Sequence, residues 1–381
     1  MAGGVLSISF DFEMAWGTRR NASDLNHAQG VERVREVVRG LLDIFARHRI
    51  SATWATVGHL MLKPEDCPSG RFPKQLPAPR PDWFTGDWYD GIPSMTEPRG
   101  LRYYAPELVE AIVNCSVHQE LASHTFSHVV IGEDACTREV ARAEFNTCRE
   151  VAQRWGRKVR SLVFPRNKVG HLDVLRETGH TCFRGPNSEW FLLGTAAKPI
   201  KNRLLNRLTY NLVRVLRFVD ESLVICPPLG KARQVEGLWE LPHSMFFPGC
   251  TGLSKFVPRA SQVQRATKGM QKAARLGRIF SLYTHPHNFL PDVPEQLAAF
   301  HDVRRRLAEA DAEVRAAHSP ARWRCWWAAT RRCSTNIARC STPLVTRCST
   351  LATAAMARSC PSTGANPTTF REISAGASLP R

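Results

Sequence analysis

The 381-residue, 42.8-kDa chain is 43% hydrophobic and 23% charged, a balance that excludes disorder throughout. A chain this long buries roughly three quarters of its unfolded surface, so neither a disulfide framework nor a structural metal is required. Its formal charge of +18 suggests nucleic acid or an anionic membrane as partner, but the charge is uneven: residues 311–381 hold ten arginines and three acids, +7 in all, and the rest carries +11.

In chain order, residues 5–10 (Val-Leu-Ser-Ile-Ser-Phe) read as a strand, not as the basic and apolar segments of a secretory signal. No apolar run reaches about eighteen residues, so no membrane span is expected, and the expected location is cytoplasmic. Further strands are expected at Ser51–Val57, Glu120–Ser123, Ser161–Phe164 and Phe280–Thr284, with the first at Leu6–Phe10. Between them, Val31–His48 places Val34, Val37, Val38, Leu41, Leu42 and Phe45 on one helical stripe, and Thr137–Trp155 does the same with Val140, Phe145, Val151 and Trp155. Alternating βα units imply an α/β fold. The cysteines at 67, 115, 136, 148, 182, 226 and 250 include no CxxC pair and read as ordinary thiols of a reducing compartment.

Two insertions interrupt a domain expected over residues 1–310. The first, about 63–100, carries eight prolines together with Trp83, Phe84, Trp88 and Tyr89 and reads as a packed aromatic lid. The second, about 184–240, reads as a basic helical insertion in which Lys198, Lys201, Arg203, Arg207, Arg214 and Arg217 precede any further acid until Asp220. It is either a solvated face or a contact for an anionic ligand or membrane surface. Residues 311–381 are rich in Arg, Cys, Ser, Thr and Trp without apolar period, a low-order tail such as translation out of frame would also produce. Its cysteine spacings of eight, seven, eight and twelve match no usual zinc pattern.

Chemistry-bearing residues recur at strand ends. Asp11 and Glu13 follow the first strand with a spacing of two, which puts both carboxylates on one side of an extended chain. His124 and His128 follow the third, four residues apart, a spacing that lets two imidazoles converge on one cation. Pro165-Arg166-Asn167 follows the fourth, and His285-Pro286-His287-Asn288 the last. Carboxylates, histidines and an arginine gathered at the carboxyl ends of strands point to a metal site on the functional face of an α/β sheet.

These segments, Ser9-Phe10-Asp11-Phe12-Glu13, Ala52 to Gly58, Ser123 to His128, Phe164 to Asn167 and Thr284 to His287, resemble the ordered motifs of the polysaccharide deacetylases with the NodB homology domain, carbohydrate esterase family four. The resemblance spans about Val5 to Phe289 and implies a distorted (β/α) barrel with a divalent metal, zinc or alternatively cobalt, nickel or manganese. It implies Asp11 as catalytic base, Glu13, His124 and His128 as metal ligands, Arg166 as the arginine orienting the base, and His285 as general acid. Trp16, Pro165, Asn167, His287 and His243 would contact substrate. Glu13 stands where many members have Asp, and Glu240 to Phe246 is the nearest match to a motif that is not clear here.

The reaction so implied is hydrolysis of the N-acetyl group of an amino sugar, in a cell-surface polysaccharide or in a nucleotide- or lipid-linked precursor whose diphosphate would suit the basic stretch. Another amide hydrolase on the same scaffold, a deformylase or ring-amide hydrolase, is the near alternative. A non-catalytic nucleic-acid-binding protein would account for the charge, but the chain has no helix-turn-helix, zinc finger or RNA-stacking motif, so no specific nucleic-acid partner is expected. The scaffold could also survive without activity if the altered tail removes a closing element.

Overall fold

The computed structural model describes residues 4–19, 33–187, 203–247, 252–290, 292–302 and 324–325. Residues Met1–Trp327 form one compact unit, and the remaining Ala328–Arg381 lie outside the described residues. Strands β1 (Val5–Phe12), β2 (Thr53–Thr56), β3 (Glu120–Ser123), β4 (Ser161–Val163), β5 (Cys182–Asn187), β6 (Arg233–Val235), β7 (Leu238–His243), β8 (Met245–Phe246) and β9 (Ile279–Thr284) pair in the order β6-β7-β5-β4-β3-β2-β1-β9-β8. All neighbours are parallel except β6 with β7. Helices α1 (Val34–His48), α2 (Pro106–Val113), α3 (Arg138–Gln153), α4 (Leu172–Glu177), α5 (Arg203–Ser222) and α6 (Arg259–Leu276) fall between strands, as alternating apolar runs and 3.6-residue stripes require.

The pleat sorts side chains into two populations. Phe10 pairs in register with Trp54, and Trp54 with Leu121, and all three are buried on the helical side of the sheet. The rings of Phe10 and Trp54 stack at 4.7 Å, and Phe45 of α1 and Phe300 close over Phe10 at 5.7 and 6.0 Å. Here α1 lays down the stripe from Val34 to Phe45. On the other face the register runs from Asp11 to Ala55 to Ala122, and from Val163 to Arg184. In a flat sheet β1 and β5, four steps apart, would be roughly 19 Å apart. Instead Arg184 Nη1 reaches Asp11 Oδ1 at 2.6 Å, so the sheet is curled, with small residues lining the inside of the curl. Lower down, Glu120 of β3 accepts hydroxyl hydrogen bonds from Thr53 of β2 at 2.7 Å and Ser161 of β4 at 2.6 Å, locking three strands together.

Of the insertion at 184–240, expected to be a basic helical one, α5 is the one helix among the described residues, the segment opens inside β5 and closes with β6 and β7, and Lys198 and Lys201 lie outside the described residues. Arg184, Gly185 and Pro186 hide the strand signal of β5, because each is unusual in a central strand. The tail likewise contributes β10 (Arg324–Cys325), which pairs with Val5 and Leu6 and is too short to show a period. The aromatic insertion packs without regular strands, burying Phe84 and Trp88.

Cys67, Cys115, Cys136, Cys148, Cys182 and Cys226 are free thiols, and burial pushes Cys136, Cys148 and Cys182 up to about 12, which keeps them unreactive. Cys250 lies outside the described residues. Among the described residues no helix is long and apolar enough to cross a membrane.

Two core histidines make the fold sensitive to acid. Burial lowers His59 and His180 to about 3, whereas the unfolded chain protonates them near pH 6.5. Each ring therefore withdraws up to about 1.4 kcal/mol of stability per pH unit as pH falls below 6.5. The urea midpoint of His180→Phe is expected to fall less steeply than that of the parent chain between about pH 6.5 and 4.5, and parallel slopes would contradict this assignment.

Candidate active site

Each polar motif lies at the carboxyl end of a strand or in the first turn after it. Asp11 is the last inward residue of β1, and Glu13 follows at the start of the 3-10 turn Met14–Thr18. The turn after β3 presents His124 and His128, and the 3-10 turn Pro165–Asn167 follows β4. Met14, Thr125, His128, Arg166 and Asn167 all have φ between 46° and 61°. Non-glycine residues in this region cost about 1–3 kcal/mol each and cluster where a loop is held for function.

Glu13, His124 and His128 offer ligand atoms that all lie within 4.8 Å of one another, and all three are buried. Glu13 Oε2 is 3.3 Å from His124 Nε2 and 2.9 Å from His128 Nε2. His124 Nδ1 donates to the Val163 carbonyl at 2.8 Å, so in the neutral ring Nε2 presents a lone pair to the carboxylate. His128 Nε2 is likewise buried with no aligned hydrogen-bond partner, and burial lowers its pKa, which favours the neutral ring. Two imidazole nitrogens and a carboxylate oxygen converging on one point would fit a divalent cation when the rings carry no proton at Nε2. Burial alone would raise the Glu13 pKa, but without a metal the charge of His285 and His128 in their protonated forms and hydrogen bonds donated by His124 and His128 hold it well below the usual range. Room for the longer glutamate comes from Gly17, where a Cβ would collide with the Glu13 carboxylate.

Asp11 is gripped from across the curl. Arg184 donates to Oδ1 at 2.6 Å and to Oδ2 at 2.7 Å, and also to Ser9 Oγ at 3.1 Å and Asn167 Oδ1 at 3.0 Å. Its guanidinium lies 4.2 Å from the Tyr283 ring centroid. Burial works to raise the Asp11 pKa, yet the charge and hydrogen bonds of Arg184, helped by His285 and His124, bring it below the ordinary value. His285 Nε2 stands between the two carboxylates, 3.7 Å from Asp11 Oδ2 and 3.6 Å from Glu13 Oε1. Asn288 Nδ2, 3.4 Å from His285 Nδ1, favours the tautomer that carries its proton at Nε2.

The expected site residues separate accordingly. Asp11, Glu13, His124, His128 and His285 converge, with Asn167 bound to Arg184 and His287 stacked on His285 at 4.8 Å. Arg166 does not reach Asp11; its turn aims it outward over the Trp83 ring at 4.0 Å, and Arg184 takes the partnership instead. Trp16 is a core residue, 1% exposed, donating to the Tyr103 carbonyl. His243 is buried edge-on against Tyr283 at 4.1 Å, and Pro165 is buried at the start of its turn.

Glu144 of α3 was not anticipated. Fully buried, it accepts from Ser127 N and Ser127 Oγ, both at 2.7 Å, and from Tyr89 Oη at 3.1 Å, while Trp88 Nε1 donates to Ser127 Oγ at 2.9 Å. The residue before His128 is thus fixed from below by a helix and from outside by the aromatic insertion. The available signal is an acid within the apolar stripe Val140, Phe145, Cys148, Val151.

No family model matches the chain, and no curated protein matches its sequence. Solved structures do match. A Mycobacterium smegmatis protein assigned as a polysaccharide deacetylase is 14% identical over 96% of each chain, with a TM-score of 0.48. A CE4 family pseudoenzyme from Bacillus anthracis is 10% identical over 81% of this chain and 61% of that one, with a TM-score of 0.37. A family 4 carbohydrate esterase from Streptomyces lividans, solved with acetate, is 12% identical over 81% and 90%, with a TM-score of 0.36. The likeness is one of general chain path and includes an inactive protein, so the functional argument rests on the side chains described above.

Arg184→Ala strands a buried carboxylate and is expected to destabilise the fold by about 3–5 kcal/mol in urea titration, against under about 1 kcal/mol for Arg166→Ala. Equal losses would refute the partnership. Gly17→Ala, which displaces Glu13, is expected to weaken zinc binding roughly 10–100-fold by competition with a chelator while leaving the far-ultraviolet circular dichroism unchanged.

Proposed function

We propose that the chain is a metal-dependent amide hydrolase that removes the N-acetyl group of an amino sugar, in a cell-surface polysaccharide or its nucleotide- or lipid-linked precursor. The observation that carries this reading is the convergence of Glu13, His124 and His128 beside an Asp11 held ionised by Arg184, with His285 Nε2 poised between the carboxylates. A divalent cation held by that set would polarise the acyl carbonyl and acidify the attacking water. Two neutral imidazoles and a carboxylate suit zinc, with cobalt, nickel and manganese as alternatives.

The chain's own groups supply the proton transfers. Asp11, ionised and fixed through both oxygens, accepts the proton of the attacking water. His285, as the imidazolium, donates its Nε2 proton to the departing amine and is left as the neutral ring. His287, lowered to about 4 by burial, stacks on it as a neutral ring and adds no competing charge. Trp83 with Arg166 above it forms an aromatic and cationic rim, a surface suited to a sugar ring and an anionic carrier group.

Metal content and acetate release, measured on one sample of the full chain with N-acetylated sugars free and diphosphate-linked, test the reading. His128→Ala is expected to lose the metal and more than about 100-fold in turnover, since even the partners behind metal ligands cost 10–100-fold. Asp11→Asn is expected to keep the metal and lose about 10²–10⁴-fold in rate. A folded chain that binds no metal would refute the site. Bound metal with release of formate or ring opening, and no acetate, would reassign the acyl group.

A further inference from the structure

Helix α5 is amphipathic in the wrong direction for a helix on a water-soluble surface. Its outward face carries Leu208, Leu212, Val215 and Val219, spaced by four, three and four residues and between 38 and 57% exposed. Its acids turn inward instead: Asp220 pairs with Arg265 of α6, both buried, and Glu221 accepts from Ser254 Oγ at 3.0 Å. Ser254 lies in the 3-10 turn Gly252–Phe256, which adds a 65% exposed Phe256 with Lys255 over its ring. From Arg203 to Val219 the sequence has four arginines and no acid; of these Arg214 is exposed beside the stripe, Arg217 turns inward, and the side chains of Arg203 and Arg207 lie outside the described residues.

We propose that α5 docks the protein on an anionic lipid surface, laying the Leu208, Leu212, Val215 and Val219 stripe into the boundary between headgroups and acyl chains. An interfacial helix needs apolar area on one side and basic residues that meet anionic headgroups, and α5 with the Phe256 turn supplies both. A second copy of this chain is the poorer occupant, because it would set exposed Arg214 and Lys255 against their own copies while Asp220 and Glu221, the acids of this helix, stay buried. Electrostatics therefore selects the lipid.

The docking helix also walls the candidate site. On its inner side Arg217 lies 5.0 Å from the Phe246 ring centroid, and that ring is 5.8 Å from the His285 ring. Docking would hold that wall against the bilayer surface, although the lipid contact itself does not rest on the proposed chemistry.

The test is co-sedimentation of the full chain with vesicles of phosphatidylcholine, with and without phosphatidylglycerol. Binding is expected only when phosphatidylglycerol is present, and Leu212→Gln with Val215→Gln, which leaves the charge unchanged, is expected to weaken it roughly tenfold or more. Val219→Gln alone is a milder second variant should the double variant fail to fold, with weakening again expected. Undiminished binding by the variants would overturn the proposal, since arginine charge alone would then explain it. So would absence of binding to either vesicle, or a lipid-free dimer that these substitutions dissociate. Acetate release from a water-soluble substrate, followed in parallel, is expected to be unchanged in the variants, which separates this proposal from the assignment of the reaction.

Discussion

A guanidinium and a carboxylate buried together, Arg184 and Asp11, join β5 to β1 across the inside of the sheet. Taking two charges out of water is costly, and such a pair stabilises only when its geometry and remaining hydrogen bonds are nearly ideal. Here the contact is bidentate, Ser9 and Asn167 accept further hydrogen bonds, and Tyr283 offers its ring face. The pair forms only if the sheet curls, and the curl is possible because Ala55 and Ala122 occupy the positions in register with Asp11. One interaction thus links the shape of the sheet to the charge state of the residue that faces the candidate metal site.

Around this link the site is held by groups that never face it. Glu144, Tyr89 and Trp88 fix Ser127, and Val163 fixes the ring of His124 through its carbonyl oxygen. The left-handed backbone at Thr125, His128, Arg166 and Asn167 is the strain that these supports hold in place. Burial raises the Glu144 pKa while its hydrogen bonds with Ser127 and Tyr89 oppose that rise, so its hydrogen-bonding capacity is spent on structure and leaves little for proton transfer.

Much of this was legible in the sequence for a physical reason: β1, β3, β4 and β9 are apolar runs ending in polar turns, and α1 and α3 carry unbroken stripes. The converging Asp11, Glu13, His124, His128 and His285 were found because each stands at the carboxyl end of such a run or in the turn that follows it. Arg184 was missed because β5 carries Arg, Gly and Pro, and its partner is 173 residues away, a distance local pattern does not span. Arg166 was mistaken for that partner because sequence gives position in a turn but not the sign of φ, which at 54° swings the side chain toward Trp83.

The first of the described strands, β1, is also among the most enclosed. One edge of β1 is shared between β2 and the two residues of β10, and the other is taken by β9, which ends at Thr284. During synthesis that second edge waits for some 270 further residues, roughly 14–54 s at ordinary elongation rates. Through that interval an apolar strand has an open hydrogen-bonding edge, the condition under which nascent chains associate wrongly. Pairing at the second edge of β1 is therefore a late step, and the yield of native protein depends on how well the nascent chain is shielded until β9 emerges.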